Sequence, residues 1–332
     1  MRVQAIKQFG GPEVFETMEM ERPKVQPGHV LIRVAATSVN PIDNKIRSGF
    51  VPALAPAFPA VLHGDVAGVI EEVGEGVTTF QSGDEVYACA GGVKGYGGAL
   101  ADYMLANAEL VAHKPKSLSF TEAAALPLVC ITAWEALIDR AQILPGQKVL
   151  IHGATGGVGH VAIQIAKEKG AQVYTTGSSK EKLKIARELG ADVGIHYKEC
   201  SVQQYVDKYT DGKGFDIVFD TVGGDNIDRS LEAVKVKGTV VTIAARSTND
   251  LTPMHNKGLT LHAVFMILPL LTGEGLAHHG NVLRQISQLV DEGKLRPLLD
   301  ANSYRFCEAA LAHKRLESGQ AIGKVTLINE HF

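Results

Sequence analysis

A glycine-rich turn is the part of the sequence whose chemistry is easiest to name. It follows the apolar run 149–151, and Gly153, Gly156 and Gly159 give it the spacing Gly-x-x-Gly-x-x-Gly. A pyrophosphate can approach such a turn closely, because no side chain holds it away from the backbone N–H groups at the start of the next helix. The more usual Gly-x-Gly-x-x-Gly frame would begin at Ala154, so the motif is a variant. We therefore predict a dinucleotide site made of Gly153, Ala154, Thr155, Gly156, Gly157 and Val158; a purely structural turn is the alternative.

The end of the next apolar strand indicates which dinucleotide would bind. NAD-binding proteins place a carboxylate for the ribose hydroxyls roughly 20 residues beyond the glycine turn. Here the chain carries Ser178, Ser179, Lys180 and Lys182 around that point, and no acid occupies the strand end. Hydroxyl groups and an ammonium suit a 2′-phosphate, so Ser178, Ser179 and Lys182 predict NADPH rather than NADH as cofactor. Alternatively, the lysines only solvate one face of a helix.

The elements around these residues alternate between strand and helix. Ser119 and Glu122 have the spacing of a capping box that opens an Ala-rich helix, and Pro127 predicts a break or kink in it. Further along, strands are predicted at 148–152, 172–176, 193–196, 215–219 and 239–244, and helices at 158–169 and 180–189. Such repeated β-α-β units predict an α/β fold with a parallel sheet covered by helices on both faces.

The flanking segments have a different character. The first 115 residues contain short apolar strands, predicted at 30–36, 66–73, 85–88 and 101–105 and separated by Gly and Pro, which is typical of a compact all-β, barrel-like unit. After about residue 265 come helices predicted at 281–291 and 307–317 and a last strand at 324–328. We expect this tail to return to the first domain.

Composition excludes several classes of protein. The 332 residues carry 33 Lys and Arg against 36 Asp and Glu, a net charge of −3, so no basic excess favours nucleic acid as a partner. No stretch reaches the roughly 18 apolar residues of a membrane-spanning helix. The four cysteines lie far apart and form no Cys-x-x-Cys pair, which argues against a disulfide scaffold or a structural zinc site and favours a cytoplasmic location.

Taken together, these motifs resemble the medium-chain dehydrogenase/reductase superfamily, in its zinc-free quinone oxidoreductase (zeta-crystallin-like) branch. The resemblance implies a GroES-like β-barrel catalytic domain over residues 1–124 and 266–332. It also implies a Rossmann NADP-binding domain, a doubly wound parallel sheet, over residues 125–265, with the cofactor in the cleft between the domains. The resemblance is carried by the glycine turn and by Val39-Asn40-Pro41-Ile42-Asp43, Arg47-Ser48-Gly49, His63-Gly64-Asp65, Leu126-Pro127-Leu128, Thr132-Ala133-Trp134, Arg187-Glu188-Leu189-Gly190 and Leu316-Glu317-Ser318-Gly319.

The resemblance also implies that no metal is bound. Zinc-dependent members use a Cys, a His and a later Cys as catalytic ligands; those positions fall here on Asn40, Gly64 and Leu128, with Cys130 nearby. These residues do not supply the nitrogen and sulfur ligands that zinc prefers. The chemistry that remains is hydride transfer to a quinone or an α,β-unsaturated carbonyl, whose developing oxyanion needs only a hydrogen-bond donor.

The loop 40–47 supplies the candidate catalytic residues, Asn40 and Lys45. Many quinone reductases have a tyrosine at the position of Lys45, whereas the plant-type alkenal or enone reductases share the pattern Asn-Pro-x-Asp-x-Lys. Lys45 could donate a charge-assisted hydrogen bond to the oxyanion. It could equally pair with Asp43 or point to solvent.

Further cofactor-binding positions are implied by the same resemblance. Thr132 is placed near the nicotinamide ribose, Tyr197 beside the adenosine phosphate, and Phe265 and Lys324 near the nicotinamide. Val222 and Ala244 follow strands at the edge where open parallel sheets bind ligands. Asp216 and Asp220 flank a buried strand, and a turn or capping role is expected for both.

Three functions are compatible with these residues. The leading one is a cytoplasmic, homodimeric NADPH-dependent reductase of quinones or enones. The second is reduction of the C=C bond of alkenals, and the third is a non-catalytic NADPH-binding structural or regulatory protein.

Overall fold

The chain folds into two compact units in a computed structural model that describes all 332 residues. Unit 1 comprises Met1–Leu128 and Ile267–Phe332, and unit 2 comprises Val129–Met266. The tail after Met266 is thus part of unit 1. No helix combines the length and apolar character that crossing a bilayer requires.

Sixteen strands and eleven α-helices make up the two units. The strands are β1 (Arg2–Ile6), β2 (Phe15–Glu19), β3 (His29–Ser38), β4 (Ala60–Val61), β5 (Asp65–Val73), β6 (Glu85–Cys89), β7 (Tyr103–Asn107), β8 (Val111–His113), β9 (Lys148–His152), β10 (Gln172–Gly177), β11 (Val193–His196), β12 (Phe215–Asp220), β13 (Val234–Thr242), β14 (Thr260–Ala263), β15 (Leu299–Arg305) and β16 (Lys324–Ile328). The helices are α1 (Pro41–Arg47), α2 (Phe120–Ala124), α3 (Pro127–Trp134), α4 (Gly157–Glu168), α5 (Lys180–Glu188), α6 (Val202–Thr210), α7 (Asn226–Ala233), α8 (Thr252–Lys257), α9 (Leu268–Thr272), α10 (Leu276–Asp291) and α11 (Ala309–Glu317).

Unit 1 is built on a seven-stranded sheet with the order β15-β16-β3-β5-β6-β8, in which β7 also pairs with β3. A smaller sheet has the order β2-β1-β4. The long central strand β3 pairs antiparallel with β5 and β16, and Ser38 at its end lies opposite Thr326. This register brings the end of β3 and the starts of β5 and β16 to one edge of the sheet, where the polar side chains described below meet.

Unit 2 contains a six-stranded, fully parallel sheet with the order β11-β10-β9-β12-β13-β14. The parallel sheet predicted from the strand and helix alternation is confirmed. Its strands are apolar and buried because helices cover the sheet, and one core cluster contains Leu150, Phe215, Val218, Leu231 and Val240. The strands are added in one direction from β9 to β11 and in the opposite direction from β12 to β14, so the strand order reverses between the neighbouring strands β9 and β12. Ligands of open parallel sheets bind outside the carboxyl ends of the strands at such a reversal.

Most of the predicted element boundaries are right to within a residue or two. The capping box is confirmed, since the Ser119 N–H donates to Glu122 Oε2 at 2.9 Å, and α2 and α3 are separate helices on either side of the break at Pro127. The strand predicted from residue 239 begins earlier, at Val234. The first half of β13 is polar, pairs irregularly with β12 and contains Lys237 in a left-handed conformation, so the local sequence did not indicate a strand there.

Two helix starts also differ from the prediction. The helix predicted from residue 281 begins at Leu276, because Gly280 continues the helix where it packs against the carbonyl of Glu109. The helix predicted from Cys307 begins at Ala309, after a short 3₁₀ turn. Helices α6 and α7 were not predicted at all, although Ser201 and Gln204 form a capping box at the start of α6.

Candidate active site

The turn between β9 and α4 requires glycine at two places. Gly153 has a φ of +80°, and a Cβ added there would lie 2.6 Å from Oγ1 of Thr221. A Cβ added at Gly159 would lie 2.1 Å from the carbonyl oxygen of Gly153. The first turn of α4 therefore packs directly against the loop that precedes it, which leaves the backbone of this segment uncovered by side chains.

The start of α4 offers uncommitted backbone donors. Gly156 is the N-cap and makes no side-chain capping bond, and Gly157 and Val158 lie in the first turn, where an α-helix leaves its N–H groups without intrahelical partners. Gly156 is exposed, and Gly157 and Val158 are half-buried. The partial positive charge of the helix end is thus accessible to an anion.

Ala154 and Thr155 are more deeply placed than the rest of the turn. They are 1% and 5% exposed, and the Ala154 N–H donates to the carbonyl oxygen of Thr176 at 3.2 Å. Their role in this structure is to shape the turn. Contacts of these two residues with a dinucleotide stay predictions.

The loop after β12 lies beside the glycine turn. Oγ1 of Thr221 donates to the carbonyl oxygen of His152 at 2.7 Å. Asp220 Oδ1 accepts hydrogen bonds from the N–H groups of Val222 at 2.9 Å and Gly223 at 3.1 Å and from Asn226 Nδ2 at 2.9 Å. The turn role expected for Asp220 is confirmed, and this carboxylate holds the loop in place.

Val222 and Ala244 lie on touching loops at the carboxyl edge of the parallel sheet. A Cβ added at Gly223 would lie 2.3 Å from the carbonyl oxygen of Ala244. Val222 is 57% exposed, which is unusual for a branched apolar side chain. Asp216, at the other end of β12, accepts the N–H of Lys148 at 2.7 Å and pairs with Lys235, so it connects neighbouring strands instead of taking the turn or capping role expected for it.

The residues predicted to select NADPH come together at the ends of β10 and β11. Ser179 is the N-cap of α5, and its Oγ accepts the N–H of Lys182 at 3.3 Å. The N–H of Tyr197 donates to the carbonyl oxygen of Gly177 at 3.4 Å, next to Ser178. Lys182 is half-buried and forms no ion pair, and Tyr197 is 45% exposed. Hydroxyl, ammonium and aromatic groups therefore share one corner of unit 2.

In unit 1, Asn40 lies between two buried charges of opposite sign. Its Oδ1 accepts a hydrogen bond from Lys324 Nζ at 2.5 Å, and its Nδ2 donates to Asp65 Oδ2 at 2.8 Å. Asn40, Asp65 and Lys324 are all at most 3% exposed. A flipped amide would direct its NH₂ at the ammonium and its oxygen at the carboxylate, so the two charges fix the orientation of the carboxamide.

Asp65 is the hub of this polar cluster. Besides Asn40, its Oδ2 accepts hydrogen bonds from Ser38 Oγ at 2.7 Å and Lys324 Nζ at 3.4 Å, and its Oδ1 accepts the N–H of Leu128 at 2.8 Å. Charge-assisted hydrogen bonds of this kind satisfy a carboxylate that is fully removed from water. The sequence presented Asp65 only as part of a family motif; an acid opening an apolar strand is the signal that could have identified it.

Helix α1 begins directly after Asn40 and carries the two other residues considered from the sequence. Asp43 Oδ2 accepts the N–H of Asn40 at 2.7 Å. Burial, assisted by the nearby charge of Asp65, raises the pKa of Asp43 to about 7. Lys45 is exposed and forms no ion pair with Asp43 or with any other acid. Of the alternatives for Lys45, the pair with Asp43 is therefore excluded in this structure.

A second buried chain of hydrogen bonds runs beneath α1. Arg47 Nε donates to His313 Nδ1 at 3.2 Å, the Nε2 atoms of His313 and His63 are 2.9 Å apart, and His63 Nδ1 is 3.3 Å from Thr37 Oγ1. A guanidinium can only donate, so His313 carries its proton on Nε2 and His63 carries its proton on Nδ1. Burial lowers the pKa of His63 to about 3 and holds the pKa of His313 well below its usual value, so both rings are neutral.

The remaining residues named in the sequence analysis are Thr132, Phe265 and the cysteines. Thr132 is buried in α3, and Phe265 is 47% exposed just beyond β14. Cys89 and Cys130 are buried, and no three His, Cys, Asp or Glu side chains are grouped so that they could hold a metal ion. The polar groups around Asn40 already satisfy one another, and they are not the nitrogen and sulfur donors that zinc prefers.

Comparison with known proteins places both units in described families. Residues 26–116 match the family described as the alcohol dehydrogenase GroES-like domain, and residues 157–273 match the family described as zinc-binding dehydrogenase. The first match lies within unit 1, and the second begins at α4 and runs to residue 273, so it covers unit 2 from α4 onward and the first residues of the returning tail.

Individual relatives resemble the chain over nearly its whole length. The chain is 33% identical to the chloroplastic NADPH-dependent alkenal/one oxidoreductase of Arabidopsis thaliana, over 98% of this chain and 79% of that protein. It is 32% identical to the quinone oxidoreductase of Homo sapiens, over 99% of this chain and 98% of that protein. Among solved structures, an alcohol dehydrogenase superfamily protein from Novosphingobium aromaticivorans is 40% identical with a TM-score of 0.95, over 99% of this chain and 100% of that one.

Proposed function

Because the chain belongs to the medium-chain dehydrogenase/reductase superfamily, in the branch that includes the quinone oxidoreductases, we propose that it is an NADPH-dependent reductase of quinones or α,β-unsaturated carbonyls. The observation that carries the proposal is the pairing of a bare glycine turn with a corner that presents hydroxyl and ammonium groups, both at the carboxyl edge of one parallel sheet. The names of the human and Arabidopsis relatives are consistent with it.

Unit 2 fits the chemistry of the dinucleotide. The N–H groups of Gly157 and Val158 suit the pyrophosphate, and Lys182 with Ser178 and Ser179 suits a 2′-phosphate. Tyr197, Val222 and Ala244 lie along the same sheet edge and would contact the adenosine and ribose groups. When bound, NADPH supplies a hydride from its nicotinamide ring.

Lys45 is proposed as the group that stabilises the acceptor. When a quinone or enone takes up a hydride at carbon, negative charge develops on the conjugated oxygen. An ammonium that is exposed and has no acid partner can donate a hydrogen bond to that oxygen, and its Nζ can then supply the proton. Asn40 is 1% exposed and its amide is bound between Lys324 and Asp65, so we propose that it positions the start of α1 beside Lys45 and does not itself contact the acceptor.

We also propose that the reaction uses no metal. The resemblance to zinc-dependent members puts Asn40 at the position of their first zinc ligand, and in this structure its amide is bound between Lys324 and Asp65. A zinc ion there would have to break this charge-paired cluster. Metal analysis of the purified protein and a turnover assay with a chelator test this part: zinc bound in stoichiometric amounts and required for turnover would contradict it.

The second candidate is reduction of alkenals and enones at the C=C bond, which the lysine in Asn40-Pro41-Ile42-Asp43-Asn44-Lys45 favours. Two relatives, from Arabidopsis thaliana and Solanum lycopersicum, are named for such substrates, as an alkenal/one oxidoreductase and a 2-methylene-furan-3-one reductase. The cytoplasmic location and the homodimer predicted from the sequence stay predictions.

NADPH consumption in the presence of an acceptor tests the proposal directly. We expect the protein to consume NADPH with 1,2-naphthoquinone, with an alkenal or with both, and the ratio of the two kcat/KM values separates the two candidate functions. Tight binding of NADPH without turnover on any electrophile would instead support a non-catalytic role. Absence of NADPH binding by calorimetry would overturn the proposal.

A further inference from the structure

Helix α1 is held at both ends by buried charged groups, although it has only seven residues. Removing charges from water costs free energy, and apolar side chains of similar size often stabilise a protein at least as well. Stability alone therefore does not explain why charged groups hold this helix. A functional need to keep α1 in one position would explain why buried charged groups hold it.

At the first end, the ammonium of Lys324 is fully used inside unit 1. Its three hydrogens have three acceptors: Asn40 Oδ1 at 2.5 Å, the carbonyl oxygen of Val39 at 3.2 Å and Asp65 Oδ2 at 3.4 Å. Two of these acceptors belong to the two residues that lead into α1. The family resemblance placed Lys324 near the nicotinamide, but no hydrogen of its ammonium remains to bond a nucleotide.

At the second end, Arg47 is the largest fully buried side chain of the protein, at 1% exposed. Its Nη1 donates to the carbonyl oxygen of Gly10 at 2.6 Å, its Nε donates to His313 at 3.2 Å, and its Nη2 pairs with Glu317. These contacts attach the end of α1 to α11. Because His313 in turn contacts His63, the same chain connects α11 to the segment just before β5.

Between these two ends, α1 presents Lys45 to solvent. A residue and the second one after it differ by about 200° around a helix axis, so Lys45 and Arg47 lie on opposite faces. Ile46 and Arg47 are buried, whereas Lys45 is exposed and forms no ion pair. The buried contacts thus fix the backbone from which the one unpaired ammonium of α1 extends.

We propose that Lys324 and Arg47 are positioning residues that hold α1 and, through it, set the place of the Lys45 ammonium. The inference rests on the proposed function, in which Lys45 donates to the developing oxyanion. A group that acts on a transition state must be held within a fraction of an ångström, and here two buried cations of unit 1 supply that constraint.

Double-mutant cycles test whether the two residues act through Lys45. The variants are Lys45→Met, Arg47→Met and Lys324→Met and the two doubles with Lys45→Met, assayed on an enone with saturating NADPH. We expect each single variant to lower kcat by about tenfold, with the enone KM and the NADPH Kd within about twofold of the unmodified protein. In the Lys45→Met background, the second substitution should lower kcat by less than about twofold further.

Two other charged side chains of unit 1 provide matched controls. Lys114 is buried and bonds to Glu85 and to two carbonyl oxygens, and Arg315 on α11 pairs with Asp300. Neither contacts α1. Lys114→Met and Arg315→Met should lower the thermal midpoint as much as the test variants do, yet leave kcat within about twofold.

Conservative variants provide the rescue and guard against loss of folding. Lys324→Gln keeps an N–H donor for Asn40 Oδ1, and Arg47→Lys keeps a cation near Glu317. Both should recover part of the kcat lost in the Met variants, and the same cycle with Lys45→Met is run on them if a Met variant does not fold.

The outcomes separate this inference from the proposed function. Losses in kcat that are additive with Lys45→Met overturn the inference, as does a weaker NADPH Kd with normal kcat in Lys324→Met. Full turnover of Lys45→Met also overturns it, while NADPH-dependent reduction by the unmodified protein would still stand. Only if the unmodified protein consumes no NADPH with any electrophile does the proposed function itself fail.

Discussion

At the ends of β10 and β11, the proposed preference for NADPH over NADH depends on single side chains. Lys182 projects from the first turn of α5 without an ion pair, and the hydroxyl groups of Ser178 and Ser179 lie next to it in the chain. A 2′-phosphate would gain charge-assisted hydrogen bonds at this corner, whereas a 2′-hydroxyl would gain little. The proposed selectivity for NADPH would therefore depend on individual residues.

Replacing Lys182 should affect one cofactor only. Loss of a hydrogen bond to a charged group costs about 1.5–3 kcal/mol, so Lys182→Ala should raise the Kd for NADPH by roughly 10- to 100-fold. The Kd for NADH should stay within about twofold. Calorimetric titration with both cofactors measures this, with Lys180→Ala on the exposed side of the same turn as the control. Equal weakening of NADPH and NADH would contradict the assignment of the phosphate corner.

At the scale of elements, two short segments are held in conformations that leave little tolerance. The start of α4 packs against its own preceding turn at Gly159, and α1 is tied down through Asn40, Asp43 and Arg47. In the first case the constraint is steric, and in the second it is electrostatic. Each makes a different prediction.

The steric constraint is tested by adding one methyl group. A Cβ at residue 159 would lie 2.1 Å from a carbonyl oxygen of the backbone, so Gly159→Ala must displace α4 from the glycine turn. We expect the NADPH Kd to rise by more than about tenfold and the thermal midpoint to fall by several degrees. Gly97→Ala, where an added Cβ meets nothing within 4 Å, should change neither quantity. Unchanged NADPH binding in Gly159→Ala would show that the turn does not carry the site.

The electrostatic constraint predicts that the ionisation of one carboxyl group makes stability depend on pH. The pKa of Asp43 is raised from 3.8 to about 7 in the folded protein, so folding favours its protonated form. Its contribution to stability is therefore complete below pH 4 and is lost as the pH rises to 7. Asp43→Asn removes this loss and should become more stable relative to the unmodified protein by up to about 1.4 kcal/mol per pH unit over that range.

Urea unfolding of both proteins at pH 4, 5.5 and 7 measures the effect of Asp43→Asn. Asp102→Asn is the control, because Asp102 forms its contacts with Arg2 near the surface of the same unit. A stability difference that does not change with pH would contradict the raised pKa of Asp43.

At the scale of the whole molecule, buried histidines make stability depend on pH in the opposite direction. Burial lowers the pKa of His63 to about 3 and the pKa of His152 and His279 to about 4, and it holds the pKa of His313 well below its usual value. Each ring is neutral in the folded protein and binds a proton below pH 6.5 once unfolded. Stability from these groups is therefore present above pH 6.5 and is lost on acidification.

The acid sensitivity should differ between the two units. Three of these histidines belong to unit 1 and only His152 belongs to unit 2, so unit 1 should unfold first as the pH falls from 7 to 4. Asp43 has the opposite effect, because its raised pKa favours folding at low pH, but it is one group against three histidines in unit 1. Trp134, the only tryptophan, lies in unit 2 and reports its unfolding by fluorescence, while far-ultraviolet circular dichroism follows both units. His279→Gln should flatten the early phase, and His255→Gln, exposed on α8, should not. Coincident transitions by both probes at every pH would contradict this prediction.

Local patterns in the sequence were sufficient for the parallel sheet and the glycine turn. The strands 148–152 and 193–196 and the capping box at Ser119 follow from rules that act within a few residues, and these were predicted at the right positions. The starts of β13 and α10 were not, since a pairing irregularity and a glycine packed against Glu109 depend on distant parts of the chain.

What the sequence determined by itself was the alternation of strand and helix around β9 and β10, the residue types at the turn after β9 and the absence of an acid at the end of β10, because each is a property of adjacent residues. Only the tertiary structure decided which residues contact Asn40, Arg47 and Lys324. Residues 40 and 324 are 284 positions apart, and no local rule indicates that an amide, a carboxylate and an ammonium will share one buried cluster. Such a cluster forms only when β3, β5 and β16 pair, since pairing brings together charges that no single segment could remove from water.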